Sequence, residues 1–193
     1  MHRIMMFLSR LMAILGGLVL SALVILTCVS VLGRGINTFL HSDMIQNSMP
    51  DLAQTLLNTG VGPVLGDFEL VEAGIAFAIF AFLPLCQITA GHASVDIFTS
   101  RFPPRINRLI QMIVEIVFAM VLILIAWRLY EGMVSKMKYN ETTFLLQFPL
   151  WWAYAVSLVS AVLASCVGIY MAVVRVYEFL TMRTIVQSAE VEH

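Results

Sequence analysis

Four long apolar runs dominate this chain, and each is long enough to cross a lipid bilayer as a helix. They fall at about 7–32, 71–90, 106–130 and 150–177, and a spanning helix needs about 20 mostly apolar residues. The bilayer core offers no water to satisfy backbone N–H and C=O groups, so a spanning segment must bond to itself as a helix or close into a barrel. Runs of this length, without strict alternation, are helices. Composition agrees: 60% of the 193 residues are hydrophobic and 12% are charged, against about a quarter charged in soluble domains. A soluble fold of this size could not hide that much apolar surface. The expected fold class is an all-α integral membrane protein, residues 1–193 forming one membrane domain with four transmembrane helices.

The first run is expected to be a retained membrane helix. It follows Arg3 and Arg10, exceeds the core of a signal peptide, and is not closed by an A-x-A cleavage site. Lysine and arginine placement sets the orientation. Arg3, Arg10, Arg101, Arg105, Arg108, Arg175 and Arg183 fall on one side of a four-crossing chain, and Arg34, Arg128, Lys136 and Lys138 on the other. Both termini are therefore expected in the cytoplasm. Trp127 and Tyr130 close the third run, and Trp151, Trp152 and Tyr154 open the fourth, which puts an aromatic belt at the outer face. The first outer loop, residues 33–69, is long. Ile36, Phe39, Leu40, Met44 and Ile45 recur at helical spacing, as do Leu52, Ala53, Leu56 and Leu57. One or two short amphipathic helices along the membrane surface are expected there, the second capped by Ser48 with Pro50 in its first turn.

Ionisable groups inside a membrane are costly and invite a functional reading. Glu115 lies in the third run one turn after Gln111. Ion sites need several oxygen ligands, so Gln111 and Glu115 are read as a polar clasp to another helix or subunit. Glu69 and Glu72 begin the second run, where carboxylates suit a helix N-terminus. Arg34, at the same depth, is their expected partner, and a docking surface for an outer partner is the alternative. In the fourth run Ser157, Ala161 and Ser165 recur every four residues, as do Ser160, Ala164 and Gly168. Such faces let membrane helices approach closely. Gly16 and Gly17 do the same in the first run, and Pro84 bends the second.

Several chemistries are disfavoured. The three cysteines, Cys28, Cys86 and Cys166, sit in separate apolar runs without a C-x-x-C pair, and are read as small buried hydrophobes. The histidines, His2, His41, His92 and His193, do not lie mid-membrane as haem ligands would. No phosphate loop or hydrolase motif is present. With a net charge of −1, nucleic acid is not an expected partner. No enzyme activity and no cofactor or metal are expected.

The turn after the second run is distinctive. It reads Gly91-His92-Ala93-Ser94-Val95-Asp96, then Phe102-Pro103-Pro104-Arg105 and Arg108. This resembles the small membrane subunit of tripartite ATP-independent periplasmic (TRAP) transporters, the DctQ-type family, which carries H-x-x-V-D after a glycine there, followed by a proline and basic residues. Arg34, Glu69, Glu72, Pro149 and Tyr154 match further family positions in order, Pro149 and Tyr154 through an L-x-x-P-x-x-x-x-Y pattern. The resemblance covers nearly the whole chain, and departs from the family in the longer first outer loop. It implies a bacterial inner-membrane scaffold with no catalytic residue. Its implied partners are a large membrane subunit that carries solute, a periplasmic substrate-binding protein and membrane lipid. The implied cargo is an organic acid, moved on an ion gradient, commonly sodium. It also implies structural roles for Gly91, His92, Val95, Asp96, Pro103 and Arg105 in the cytoplasmic turn, and contacts with a subunit or the binding protein for Arg34, Glu69, Glu72, Pro149 and Tyr154. The rival readings are a membrane redox anchor, which lacks its paired histidines here, and a self-sufficient small channel or exporter.

Overall fold

Every apolar run falls on a helix, and the first and third of these helices extend beyond their runs at both ends. The computed structural model describes residues 2–42, 45, 50–58, 60, 62–89 and 103–181. Five helices are described in chain order: α1 (His2–Leu40), α2 (Pro50–Asn58), α3 (Asp67–Ile88), α4 (Pro104–Lys138) and α5 (Trp151–Thr181). By length and composition α1, α3, α4 and α5 are candidate membrane spans. No β-strand occurs among the described residues, only an isolated bridge between Thr142 and Pro149.

Hydropathy marks where lipid touches a helix, whereas propagation of a formed helix needs only favourable backbone bonds. So α1, with 39 residues, continues past the apolar run at both ends and carries Arg34 inside it. At 1.5 Å per residue the 22-residue α3 is roughly 33 Å long, close to the hydrocarbon thickness of about 30 Å. The 39 residues of α1 and 35 of α4 give roughly 58 and 52 Å, so these helices either tilt or project into water.

Local chemistry sets several helix ends. Pro103, in extended conformation, precedes α4, and Pro104 takes its first turn, where a missing N–H costs nothing. Lys136 and Lys138 occupy the last turn, where the helix dipole favours cations. Gly66, at φ 75°, turns the chain into α3, and the Leu146 side chain fills the space that a Cβ there would take. Pro84 lies inside α3 without ending it. In the long loop, α2 begins at Pro50 with Asp51 in its first turn. The expected cap, Ser48, lies outside the described residues.

The spanning helices pack in series: α1 on α3, α3 on α5 and α5 on α4. The ends of that row, α1 and α4, make no extended contact with each other. Burial follows the order. In its most apolar stretch α5 has 44% of residues buried, against 6% for α1 and 17% for α4, so α5 is the central post. Its buried face holds Ser157, Ser160, Ala161, Ala164, Ser165 and Gly168. At Gly168 a Cβ would stand 3.1 Å from Leu122 and 3.5 Å from the Ala119 Cα. Gly16 is pressed against Ala81, whereas Gly17 has open space around it. An apolar core of Ile88, Val167 and Met171, flanked by Met5, Met6, Leu85 and Tyr170, closes the end of the row that carries the α3–α4 connection.

The three cysteines form no disulfide, but Cys28 and Cys166 face outward. Lipid is itself an apolar solvent, so a thiol in a membrane helix need not turn inward.

The packing face is testable. Gly168→Leu should drive α4 and α5 apart and cost about 1–3 kcal/mol, read as a lowered thermal unfolding midpoint in detergent. Ser160→Leu should act in the same direction. Gly17→Leu should stay within about 0.5 kcal/mol of the parent. Equal midpoints for all three would mean that the small residues of α5 do not set the packing.

Candidate functional site

Two polar clusters, one at each end of the row, interrupt an otherwise apolar bundle. At the α3–α4 end, Gln87 and Glu115 are 1% and 7% exposed. The Gln87 amide of α3 donates to the Glu115 carboxylate of α4. Arg175 of α5 lies within electrostatic reach of Glu115. It also donates to Glu178 at 2.7 Å, both side chains being buried. Polar groups thus join α3, α4 and α5 at one level. A bond of this kind is worth about 0.6–2 kcal/mol in a membrane.

Glu115, expected with Gln111 to clasp another helix or subunit, meets Gln87 of α3, while Gln111 is half-buried. Gln87 looks unremarkable in the sequence; only its burial at the crossing with α4 singles it out. Arg175, counted among the charges of one side, is buried on α5 beside Glu178. Pro103 and Arg105 stand exposed at the start of α4. Gly91, His92, Val95 and Asp96 lie outside the described residues.

At the opposite end the partners also differ from expectation. Arg34 pairs with Asp67 at 2.7 Å, rather than with Glu69 or Glu72, because Asp67 sits on the first turn of α3 facing α1. The buried Ser30 hydroxyl donates to the same carboxylate and accepts the Val64 N–H at 3.3 Å. Glu69 turns the other way. Its two oxygens accept the Leu145 N–H at 2.7 Å and the Leu146 N–H at 3.0 Å. It therefore anchors the α4–α5 loop onto the start of α3, and its carboxylate is engaged within the chain.

That loop is itself braced. Lys136 bonds Glu141 at 2.6 Å, the Thr143 N–H donates to the Phe148 carbonyl at 3.0 Å, and Pro149 bridges to Thr142. The Tyr154 ring lies where a Cβ on Gly132 would be, 2.8 Å away. Trp127, Tyr130 and Trp152 are exposed around this end.

Between α3, α5 and the braced loop lies a half-open cleft of about 250 Å³. Glu69, Glu72, Leu129, Phe148, Tyr154 and Ser157 are among the residues that line it. Among the described residues Glu72 makes no hydrogen bond or ion pair, and it is exposed. No group of three His, Cys, Asp or Glu among the described residues could hold a metal ion.

Both anchors can be tested in the isolated chain. Gln87→Leu leaves the buried Glu115 carboxylate without its donor and should cost about 1–3 kcal/mol in detergent unfolding. Glu115→Gln keeps an acceptor and should cost less. Glu69→Ala should raise amide exchange at Leu145 and Leu146 by about tenfold, the equivalent of about 1.4 kcal/mol. Exchange unchanged from the parent would mean that the loop holds without Glu69.

Comparison with known proteins places this architecture. Neither the curated proteins nor the solved structures contain a match to the chain. A family model does match, over residues 23–178, and its description is "Tripartite ATP-independent periplasmic transporters, DctQ component". The match runs from within α1 to the last turn of α5, taking in both polar clusters and the cleft. The chain therefore belongs to the DctQ family, the small membrane subunits of TRAP transporters.

Proposed function

We propose that the chain is the fixed scaffold of its transporter: a small subunit that pairs with a large solute-carrying membrane subunit, while a periplasmic binding protein delivers the solute. The serial packing of its helices supports this most directly. Both end helices keep broad apolar faces open, with 6% and 17% of their most apolar stretches buried. The intramembrane polar side chains Gln87, Glu115, Arg175 and Glu178 engage groups inside the bundle. A helix row with outward apolar faces and inward polar clasps suits a belt for a larger partner better than a polar path of its own.

The remaining parts follow the family. The cargo is an organic acid, and its uptake is driven by an ion gradient, with sodium the expected ion. The subunit sits in the bacterial inner membrane with both termini in the cytoplasm. That orientation rests on Arg3, Arg10, Arg101, Arg105, Arg108, Arg175 and Arg183.

Co-expression with the large subunit should yield a complex of one copy each that survives mild detergent. The chain reconstituted alone should carry no solute flux. Free separation of the two membrane proteins, or flux from the chain alone, would overturn the scaffold reading in favour of a self-sufficient channel.

A further inference from the structure

We propose that the cleft beside Glu72 receives a basic side chain, a lysine or arginine, from the large membrane subunit, with the Glu72 carboxylate as its counter-ion. The inference rests on the scaffold reading and adds a defined contact to it.

Three observations converge on the cleft. The first is charge. Glu69 and Glu72 are the charged residues that line it, and neither lysine nor arginine does so. The Glu69 oxygens are occupied by the Leu145 and Leu146 amides. Glu72 is left as a carboxylate without a hydrogen bond or ion pair among the described residues, one turn inside a candidate membrane span. A carboxylate at that depth is costly without a partner.

The second is a buried hydroxyl in the lining. Ser157 is 2% exposed, lines the cavity, and its hydroxyl has no hydrogen-bond partner among the described residues. Buried hydroxyls are ordinarily bonded, so this oxygen stands ready to accept from a donor that enters. The third is the lining between them. Leu129, Phe148 and the methyl groups of neighbouring alanines suit the aliphatic stem of a long basic side chain, whose charged head would meet Glu72.

Other occupants fit less well. A phospholipid headgroup brings a phosphate, and the lining offers no cation to meet it. A bare metal cation needs several oxygen ligands, whereas one free carboxylate and a largely apolar wall offer few. A protein side chain with one positive head and an apolar stem matches both the charge and the lining.

The test uses the full complex of this chain with its large subunit. Glu72→Lys should lower recovery of the complex in mild detergent by about tenfold or more, and Glu72→Gln should lower it by a smaller factor. Glu72 is exposed, so either change should leave the isolated chain folded, which its unfolding midpoint checks. In parallel, Glu72→Cys is treated with a cationic methanethiosulfonate reagent. Labelling of the chain alone in vesicles, together with protection in the complex, is the expected result. Labelling in both states, or protection in both (as a bound lipid would give), overturns the inference. Full recovery with Glu72→Lys overturns it as well. The scaffold reading fails separately, if the parent chain and the large subunit do not co-purify at all.

Discussion

Apolar association, which holds soluble folds together, is nearly absent between helices already surrounded by lipid. The packing of this chain depends on what replaces it. Along α5 small side chains let neighbouring backbones approach, and Gly168 sits close enough to Leu122 and Ala119 that one larger side chain would separate two helices. Gly16 likewise lets α1 approach Ala81 of α3, so α1 attaches to α3 while α3 and α4 attach to the post, and the helices spread into a row. The exposure of α1 and α4 follows from this arrangement, and so does the room for a partner along the row.

Close packing alone would leave the row free to slide, since small side chains provide little register. The polar groups supply it. Gln87 to Glu115 joins α3 to α4 at one end. At the other, Asp67 ties α3 to α1 through Arg34 and Ser30. Glu69 does the same for the α4–α5 loop, holding two of its amides over the start of α3. Because α3 takes part in each of these bonds, it sets the register of the others. Its length, which matches the hydrocarbon thickness, suits that role. The cleft is a product of the same geometry: the anchored loop, α3, α4 and α5 all contribute to its lining, and Glu72 is part of it.

The helices and the packing face of α5 were legible in the sequence because both depend on local pattern, apolar run length for the first and four-residue spacing of small side chains for the second. Polar partners were harder to read. Their spacing puts Arg34, Glu69 and Glu72 at one end, but which carboxylate meets the arginine depends on the rotation of α3 about its axis. That rotation gives Asp67 to α1, Glu69 to the loop and Glu72 to the cleft. Gln87 carried no signal of its own, since a lone amide near a helix end is ordinary until another helix crosses it. For a related reason, counting charges near helix ends does not show that Arg175 is buried against Glu178.

By itself the sequence determined that the chain forms spanning helices, because an unpaired backbone is not tolerated in lipid and apolar runs of this length leave no other solution. It also marked the family through the motif around Gly91 to Asp96 and the Pro149–Tyr154 pattern. Only the tertiary structure decided the order of the helices in the row, the partner of each intramembrane charge, and the existence of a cleft. Those depend on which faces meet, and a face is set by rotation and crossing between helices far apart in the chain, which no local spacing encodes.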